Sequence, residues 1–282
     1  MREIHCDLIR DTVQNLCKEA GYNLPKDVYC ALEKAVSSEK SQLAKSILQK
    51  CLQNANIARE KETPICQDTG FAVLFVELGD KVRIVGEYNL QEAIQQGVKL
   101  GYEKYYLRKS IVKDPLIDRK NTRDNCPAII HLDFVKGENI KIILAPKGGG
   151  SENCCELKML KPSDCERGVI DFVVNTVVCA GGNPCPPVIV GVGIGGDAEK
   201  CMEIAKKALL RPLDVKNKNS YYKEMEEKIL ALINESGIGA QGLGGTTTAL
   251  AVNIETFATH IACLPVAVAI NCHVARHAEI VL

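Results

Sequence analysis

The sequence has no excess of charge of either sign, and this limits the partners to be expected. Its 282 residues include 35 basic and 35 acidic side chains, so the formal net charge is zero. A chain without a basic excess lacks the usual electrostatic attraction to nucleic acid or to an anionic membrane. We therefore expect neither of these as a partner.

Long apolar runs are also absent. No window approaches the roughly 18 apolar residues that a bilayer-spanning helix needs, and charged residues occupy the N-terminus, where a signal peptide needs an apolar stretch. The sequence therefore predicts a soluble, cytoplasmic protein. No repeat or low-complexity linker interrupts residues 1–282, so we expect a single compact domain.

The chain has 14 cysteines but no Cys-x-x-Cys pair, so spacing does not indicate a zinc-ribbon or ferredoxin-type site. A cytoplasmic protein is not expected to use them as a disulfide framework. Several lie within helical patterns and are interpreted as small apolar side chains: Cys6, Cys17, Cys30, Cys51 and Cys201. Others lie at the ends of predicted elements and are candidates for chemistry: Cys66, Cys126, Cys154, Cys155, Cys185, Cys263 and Cys272.

Apolar periodicity predicts an α+β (mixed α/β) fold. Residues 1–60 have helical spacing and are interpreted as an N-terminal helical cap packed on mixed sheets. Further helices are predicted at 90–104, 163–178 and 221–234, and strands at 71–78, 128–134, 140–145, 188–196, 249–254 and 264–270. The strands at 128–134 and 140–145 are expected to pair as a hairpin through the short turn between them.

The stretch Thr63-Pro-Ile-Cys-Gln-Asp-Thr-Gly70 places a thiol, a carboxamide, a carboxylate and a hydroxyl on consecutive residues between a predicted helix and a predicted strand. Turns on rigid scaffolds often carry the chemistry of a protein. From these residues alone an ordinary turn is an equal alternative, in which Asp68 and Thr69 cap local backbone groups and Gly70 supplies a positive φ.

Three later features also indicate ligand contacts. Arg108 follows three bulky residues, an environment that suits bidentate capture of a carboxylate. In Lys147-Gly-Gly-Gly-Ser151 the glycines permit close approach of a ligand to the backbone or an anion-binding nest, so a ligand-contacting loop is favoured. Cys185 lies between prolines, which immobilise its thiol for a metal.

A competing signal is the Gly-x-Gly-x-x-Gly pattern at Gly191, Gly193 and Gly196, which lies between a predicted strand and a predicted helix. This pattern is typical of dinucleotide binding. It occurs late in the chain, and the acidic residue at the expected distance, Asp214, does not follow an apolar strand. An NAD-dependent oxidoreductase is therefore kept as a remote alternative.

Taken together, these segments resemble the iron–sulfur-dependent class I fumarate hydratase / L(+)-tartrate dehydratase family, and specifically its alpha subunit, which is equivalent to the N-terminal half of the fused enzymes. The motifs that carry the resemblance are Ile65-Cys-Gln-Asp-Thr-Gly70, Asn121-Thr-Arg-Asp-Asn125, Lys147-Gly-Gly-Gly-Ser151, Pro184-Cys-Pro-Pro-Val188, Gly237 to Thr248 and His260 to Cys272. The resemblance implies a [4Fe–4S] cluster on Cys66, Cys185 and Cys272 with one iron open to substrate. Cys263 is the rival for the third position.

The resemblance also implies roles for other residues. Gln67 and Asp68 would contact the substrate, Arg108 would pair with a carboxylate, and the backbone around Gly149 would contact the other end of the substrate. Asp68 and His260 match the acid–base pair of the family.

The implied activity is the hydration of fumarate to (S)-malate, with L(+)-tartrate dehydration to oxaloacetate as the alternative; fumarate is preferred for its metabolic prevalence alone. The second half of the fused enzymes has no counterpart here, so we expect a beta subunit as partner in an α2β2 assembly. A cluster-carrying protein without hydro-lyase activity is a further alternative.

Overall fold

Helices and strands are interleaved along the chain, as the sequence predicts for an α+β protein. The computed structural model describes residues 1–282. In chain order the elements are β1 (Arg2–His5), α1 (Cys6–Tyr22), α2 (Lys26–Ser38), α3 (Gln42–Glu60), β2 (Phe71–Gly79), β3 (Val82–Val85), α4 (Leu90–Lys104), β4 (Ile129–Val135), β5 (Ile140–Lys147), α5 (Gly149–Glu152), β6 (Glu156–Leu160), α6 (Cys165–Ala180), β7 (Val188–Gly195), α7 (Ala198–Ala208), α8 (Ser220–Glu235), β8 (Ala249–Phe257), β9 (Leu264–Asn271) and β10 (Ala278–Val281). The predicted fold class is confirmed.

The residues group into two compact units, each with its own hydrophobic core. Unit 1 consists of Met1–Pro25, Ala55–Gly149 and Arg276–Leu282, and unit 2 consists of Lys26–Asn54 and Gly150–Ala275. The helical character predicted for the first 60 residues is present in α1, α2 and α3, preceded by the short strand β1. That residues 1–282 form a single domain stays a prediction.

Unit 1 is built on a four-stranded mixed sheet in the order β10-β5-β2-β4. Strand β2 pairs in parallel with β4 and antiparallel with β5, so the predicted hairpin of β4 and β5 is wrong. The interior of β2 is apolar and buried from Ala72 to Val76, as is typical of a central strand whose two faces are both covered. The short link between β4 and β5 has to cross only about 10 Å, two strand spacings, to pass over β2.

Helices α1 and α4 cover this sheet and pack closely on each other. Two glycines of α4 make the approach possible. A Cβ at Gly97 would lie 2.6 Å from the carbonyl oxygen of Arg10, and one at Gly101 would lie 2.6 Å from Cβ of Cys17. The core of unit 1 therefore lies between this helix pair and the sheet.

Unit 2 is built on a second mixed sheet, in the order β6-β9-β7-β8. Strand β7 is parallel to β8 and antiparallel to β9, and every one of its residues is buried. Helix α7 packs on β7, while α8 packs on β8 and on α6. This topology decides which loops of unit 2 lie at the same end of the sheet.

Candidate functional site

The turn before β2 holds the side chain of Asp68 by both of its oxygens. Oδ1 accepts a hydrogen bond from the amide of Gly70 at 3.0 Å, and Oδ2 accepts one from the amide of Gly149 at 2.7 Å. The first is the short-range contact of an Asx turn. The second joins two segments that lie far apart in the sequence, so the two predicted substrate-contact positions Asp68 and Gly149 lie together in unit 1.

Arg108 is attached to the same turn through its main chain. The hydroxyl of Thr69, which is buried, donates to the carbonyl of Arg108 at 2.6 Å. The residue Arg108 is exposed, as is Gln67, while Cys66 is half-buried. Unit 1 therefore brings together five residues for which the sequence predicts a role in the site, and two of them are exposed, Gln67 and Arg108. The other three are Cys66, Asp68 and Gly149.

The glycine-rich segment is more ordered than the loop that the sequence predicts. Strand β5 continues to Lys147, and Gly149–Glu152 form the single helical turn α5. A Cβ at Gly149 would lie 3.8 Å from Oδ2 of Asp68, an ordinary van der Waals distance. The contribution of this residue is therefore its amide and not the absence of a side chain.

In unit 2, the structure brings Cys185 and Cys272 to the same end of the sheet. Cys185 shortly precedes β7 and Cys272 directly follows β9, and in this antiparallel pair Ile189 lies opposite Asn271. The carbonyl of Cys185 accepts a hydrogen bond from the amide of His273 at 3.3 Å. Cys185 is exposed, and its φ of 55° places its backbone in the strained left-handed region.

A third thiol, that of Cys51, lies near these two, although its helical spacing predicts a small apolar side chain. Burial and the neighbouring thiols of Cys272 and Cys185 raise the pKa of Cys51 to about 11. Cys51 belongs to α3, where its helical spacing matches that of core residues. No local signal distinguishes it, because its neighbours come from distant parts of the chain.

His260 lies at the other end of the sheet of unit 2. It follows the C-terminal end of β8, where Thr259 donates to the carbonyl of Gly196 at 2.8 Å, just beyond the end of β7. Cys185 precedes β7, so the eight residues of this strand, roughly 26 Å, lie between them. Within unit 2 the structure does not bring His260 to Cys185 and Cys272.

The same topology separates the two candidates for the third ligand position. Cys263 precedes β9 and donates its amide to the carbonyl of His260 at 2.8 Å, whereas Cys272 follows β9. Of the two thiols, that of Cys272 shares an end of the sheet with Cys185.

The glycines of the Gly-x-Gly-x-x-Gly pattern have a packing role. A Cβ at Gly191 would lie 2.1 Å from the carbonyl oxygen of Ala205, and one at Gly193 would lie 2.1 Å from that of Cys201. Both glycines therefore face α7 and permit it to lie against β7. At the N-terminus of α7 the side chain of Asp197 accepts from the amide of Lys200, and this carboxylate stands where a dinucleotide phosphate would bind.

The sequence matches the fumarate hydratase (Fumerase) family over residues 10–281. A protein of Methanocaldococcus jannaschii named "Putative L(+)-tartrate dehydratase subunit alpha" is 42% identical over 275 residues, which cover 96% of each chain. Two Escherichia coli proteins named L(+)-tartrate dehydratase subunit alpha are 32% and 31% identical, over 94% and 97% of this chain and 87% and 90% of theirs. These names agree better with the tartrate alternative than with the fumarate prediction.

No helix of the structure has the length and apolar character that a membrane crossing requires.

Proposed function

Because the chain belongs to the fumarate hydratase (Fumerase) family, we propose that it is the alpha subunit of a two-component hydro-lyase that dehydrates L(+)-tartrate to oxaloacetate. Membership of this family confirms the prediction of a hydro-lyase. One observation carries the choice of tartrate over fumarate: the relative that is 42% identical across 96% of the chain is named for tartrate. Hydration of fumarate is the second candidate, supported by the name of the family.

The thiols of Cys185 and Cys272 support the proposal of a [4Fe–4S] cluster. Such clusters are held by thiolates, and Cys185 offers an exposed thiol at the end of the sheet that it shares with Cys272. We propose Cys66, Cys185 and Cys272 as its ligands, the set that the family resemblance implies. When bound, the cluster supplies an open iron that acts as a Lewis acid on the hydroxyl group of the substrate.

The residues of unit 1 bind and orient the substrate in this proposal. Arg108, whose side chain is accessible, pairs with a substrate carboxylate, and the carboxamide of Gln67 donates to it. The carboxylate of Asp68 exchanges a proton with the substrate from a fixed orientation, since both of its oxygens accept main-chain amides. The backbone of Gly149 supplies one of those amides and completes the contact surface.

His260 is proposed as the second member of the acid–base pair. Its Nδ1 accepts a hydrogen bond from the amide of Ala262 at 3.2 Å. The neutral imidazole therefore carries its proton on Nε2, and Nε2 is the atom from which a proton would be donated. The expected effect of His260→Asn is a large loss of kcat with the iron content unchanged.

A beta subunit is the proposed partner, because the relatives are named as alpha subunits. We propose that it supplies the remaining substrate contacts within an α2β2 assembly in the cytoplasm. The chain alone is then expected to hold its cluster and to have little activity.

The test is to produce the chain with its beta subunit, reconstitute the cluster without oxygen, and measure both reactions. The expected kcat/KM for L(+)-tartrate exceeds that for fumarate by roughly 100-fold or more, because a site that hydrogen-bonds a substrate hydroxyl rejects a compound lacking it. Faster turnover of fumarate would support fumarate hydration as the function. An assembly with a full complement of iron and sulfide that converts neither compound would favour a cluster-carrying protein.

A further inference from the structure

Three consecutive main-chain carbonyls, those of residues 68–70, accept hydrogen bonds from side chains. Arg276 donates through Nη2 to the first carbonyl. The hydroxyl of Tyr102 donates to the second at 2.9 Å and to the third at 3.2 Å. The side-chain amide of Asn125 donates to the third at 3.1 Å. The turn that carries Asp68 is therefore held residue by residue.

All three donors are buried. The exposed fraction is 4% for Arg276 and 0% for Tyr102 and Asn125. Burial keeps water from competing for the carbonyls and makes each unmade hydrogen bond costly. The donors come from α4, from the segment before β4 and from the segment before β10, so they fix the turn relative to the body of unit 1 and not merely to its own neighbours.

The hydrogen bonds to the carbonyls of residues 68–70 also fix the orientation of the Asp68 carboxylate. The side chain of Asp68 accepts from the amides of Gly70 and Gly149, while the carbonyls of the same turn accept from the three buried donors. A rotation of the turn would break both sets of hydrogen bonds together. The orientation of the carboxylate is thus set before a ligand arrives, which is the condition for efficient positioning.

Arg276 adds a charge to this arrangement. Its acceptor on the turn is a neutral carbonyl, and its Nε has no hydrogen-bond partner within the chain. A buried guanidinium that donates to a carbonyl keeps its full positive charge, whereas one paired with a carboxylate is compensated. Arg276 therefore places a positive charge beside a turn that also carries the negative charge of the Asp68 carboxylate.

We propose that Arg276, Tyr102 and Asn125 act as positioning residues of the hydro-lyase reaction by clamping the turn that carries Asp68. The inference rests on the proposed function for the identity of the reaction and of its dicarboxylate substrate. The clamp itself is inferred from the hydrogen bonds and the burial of these three side chains.

The chain offers a matched pair of buried tyrosines to test this. Tyr102→Phe removes only the hydroxyl that serves the turn. Tyr22→Phe removes a hydroxyl that donates to the carbonyl of Tyr105 at 2.9 Å, from a side chain that is 6% exposed and belongs to the same unit. Each variant removes one hydroxyl that donates to main-chain carbonyl groups, to two of them in Tyr102→Phe and to one in Tyr22→Phe, so a merely structural effect should be of the same kind in the two.

The first measurement is steady-state kinetics of the reconstituted assembly. We expect Tyr102→Phe to lower kcat by about 10- to 100-fold with KM unchanged, because a displaced carboxylate slows the chemistry while the substrate contacts persist. Tyr22→Phe should keep both constants. Equal kinetics in the two variants would overturn the clamp.

The second measurement does not depend on activity. Hydrogen exchange of the full chain reports on the amides of Gly70 and Gly149, which the carboxylate of Asp68 accepts. Both amides should exchange faster in Tyr102→Phe than in Tyr22→Phe. If wild-type assembly shows no turnover, the proposed function fails while this difference still supports the clamp; equal exchange in the two variants refutes it.

The role of Arg276 is tested by comparing a neutral substitution with one that keeps the positive charge. Arg276→Gln removes the charge and should lower kcat and raise KM for the dicarboxylate. Arg276→Lys keeps a cationic donor and should restore KM more fully than kcat, since it lacks the planar guanidinium. Wild-type kinetics in Arg276→Gln would exclude a positioning role for this residue.

Discussion

Cys51 is the residue at which sequence and structure differ most. Its position within a helical pattern indicates an ordinary apolar side chain, and nothing in the spacing of the cysteines connects it with Cys185 or Cys272. The structure brings these three thiols near one another in unit 2. The turn around Asp68, by contrast, could be predicted from sequence, because its reactive residues are consecutive.

This gives a prediction about individual cysteines. Cys185→Ala and Cys272→Ala should each lose most of the iron and acid-labile sulfide of the reconstituted chain, as should Cys66→Ala. Cys51→Ala should retain them, because burial raises the pKa of that thiol and disfavours the thiolate that a metal needs. Cys263→Ser, the control at the opposite end of β9, should also retain them. Loss of iron in Cys51→Ala alone would mean that the ligand set is wrong.

Glu39 is a second residue whose role only the structure reveals. Its carboxylate is 6% exposed and accepts hydrogen bonds from the amides of Ser41, Thr246 and Thr247. Burial alone would raise the pKa of Glu39, but the hydrogen bonds from Ser41 and Thr246 outweigh it and lower the pKa to about 2.

A group whose pKa is depressed in the folded state stabilises it above the unfolded pKa, near 4.5, and loses that contribution as the pH falls toward 2. The contribution of Glu39 is about 3 kcal/mol at neutral pH. In urea unfolding, Glu39→Gln should be less stable than wild type at pH 6. It should also lose less stability than wild type when the pH is lowered from 6 to 3. The exposed Glu235→Gln is the control and should keep the wild-type dependence.

At the scale of elements, periodicity predicts most of the long helices and strands, while the short strands β1, β3, β6 and β10 and the pairing of β4 with β5 are the errors. Strand β6 was missed because its residues are exposed except the last, which leaves no alternation to detect. The neighbours of β4 and β5 could not be predicted, because the apolar pattern of a strand indicates burial but does not identify its partner. The Gly-x-Gly-x-x-Gly segment was correctly predicted as strand, turn and helix, and its glycines proved to serve packing.

The packing of α7 on β7 makes a prediction about those glycines. Gly193→Ala would place a Cβ 2.1 Å from the carbonyl oxygen of Cys201, a main-chain atom of the helix that cannot rotate away. We expect a loss of about 3 kcal/mol in the free energy of unfolding. Gly150→Ala is the control, because its Cβ would lie 3.6 Å from its nearest neighbour. A thermal midpoint equal to wild type in Gly193→Ala would contradict this packing.

At the scale of the whole molecule, the sequence predicts one domain, whereas the contacts group the residues into two units that alternate along the chain. Such interleaving leaves no composition change or linker to detect. The candidate site follows the same rule. The motifs identify Asp68 and one of the buried donors to its turn, Asn125, but the other two donors, Tyr102 and Arg276, come from positions that no motif marks.

The proposed assembly is tested at this scale. Native mass spectrometry of the chain produced with its beta subunit should give a mass equal to two copies of each, whereas the chain alone should give at most a dimer. This expectation follows from the proposal that the beta subunit supplies the remaining substrate contacts. A stable, fully active assembly of this chain without any beta subunit would contradict the proposal.

The hydrogen bond from Gly149 to Asp68 belongs to the main chain, and this changes what a mutational scan would report. Every amino acid except proline supplies the same amide, and a Cβ at this position meets Oδ2 of Asp68 at an ordinary 3.8 Å. A scan would therefore score alanine at position 149 as tolerated and proline as damaging. A position can thus accept a substitution and still supply one of the contacts on which the candidate site depends.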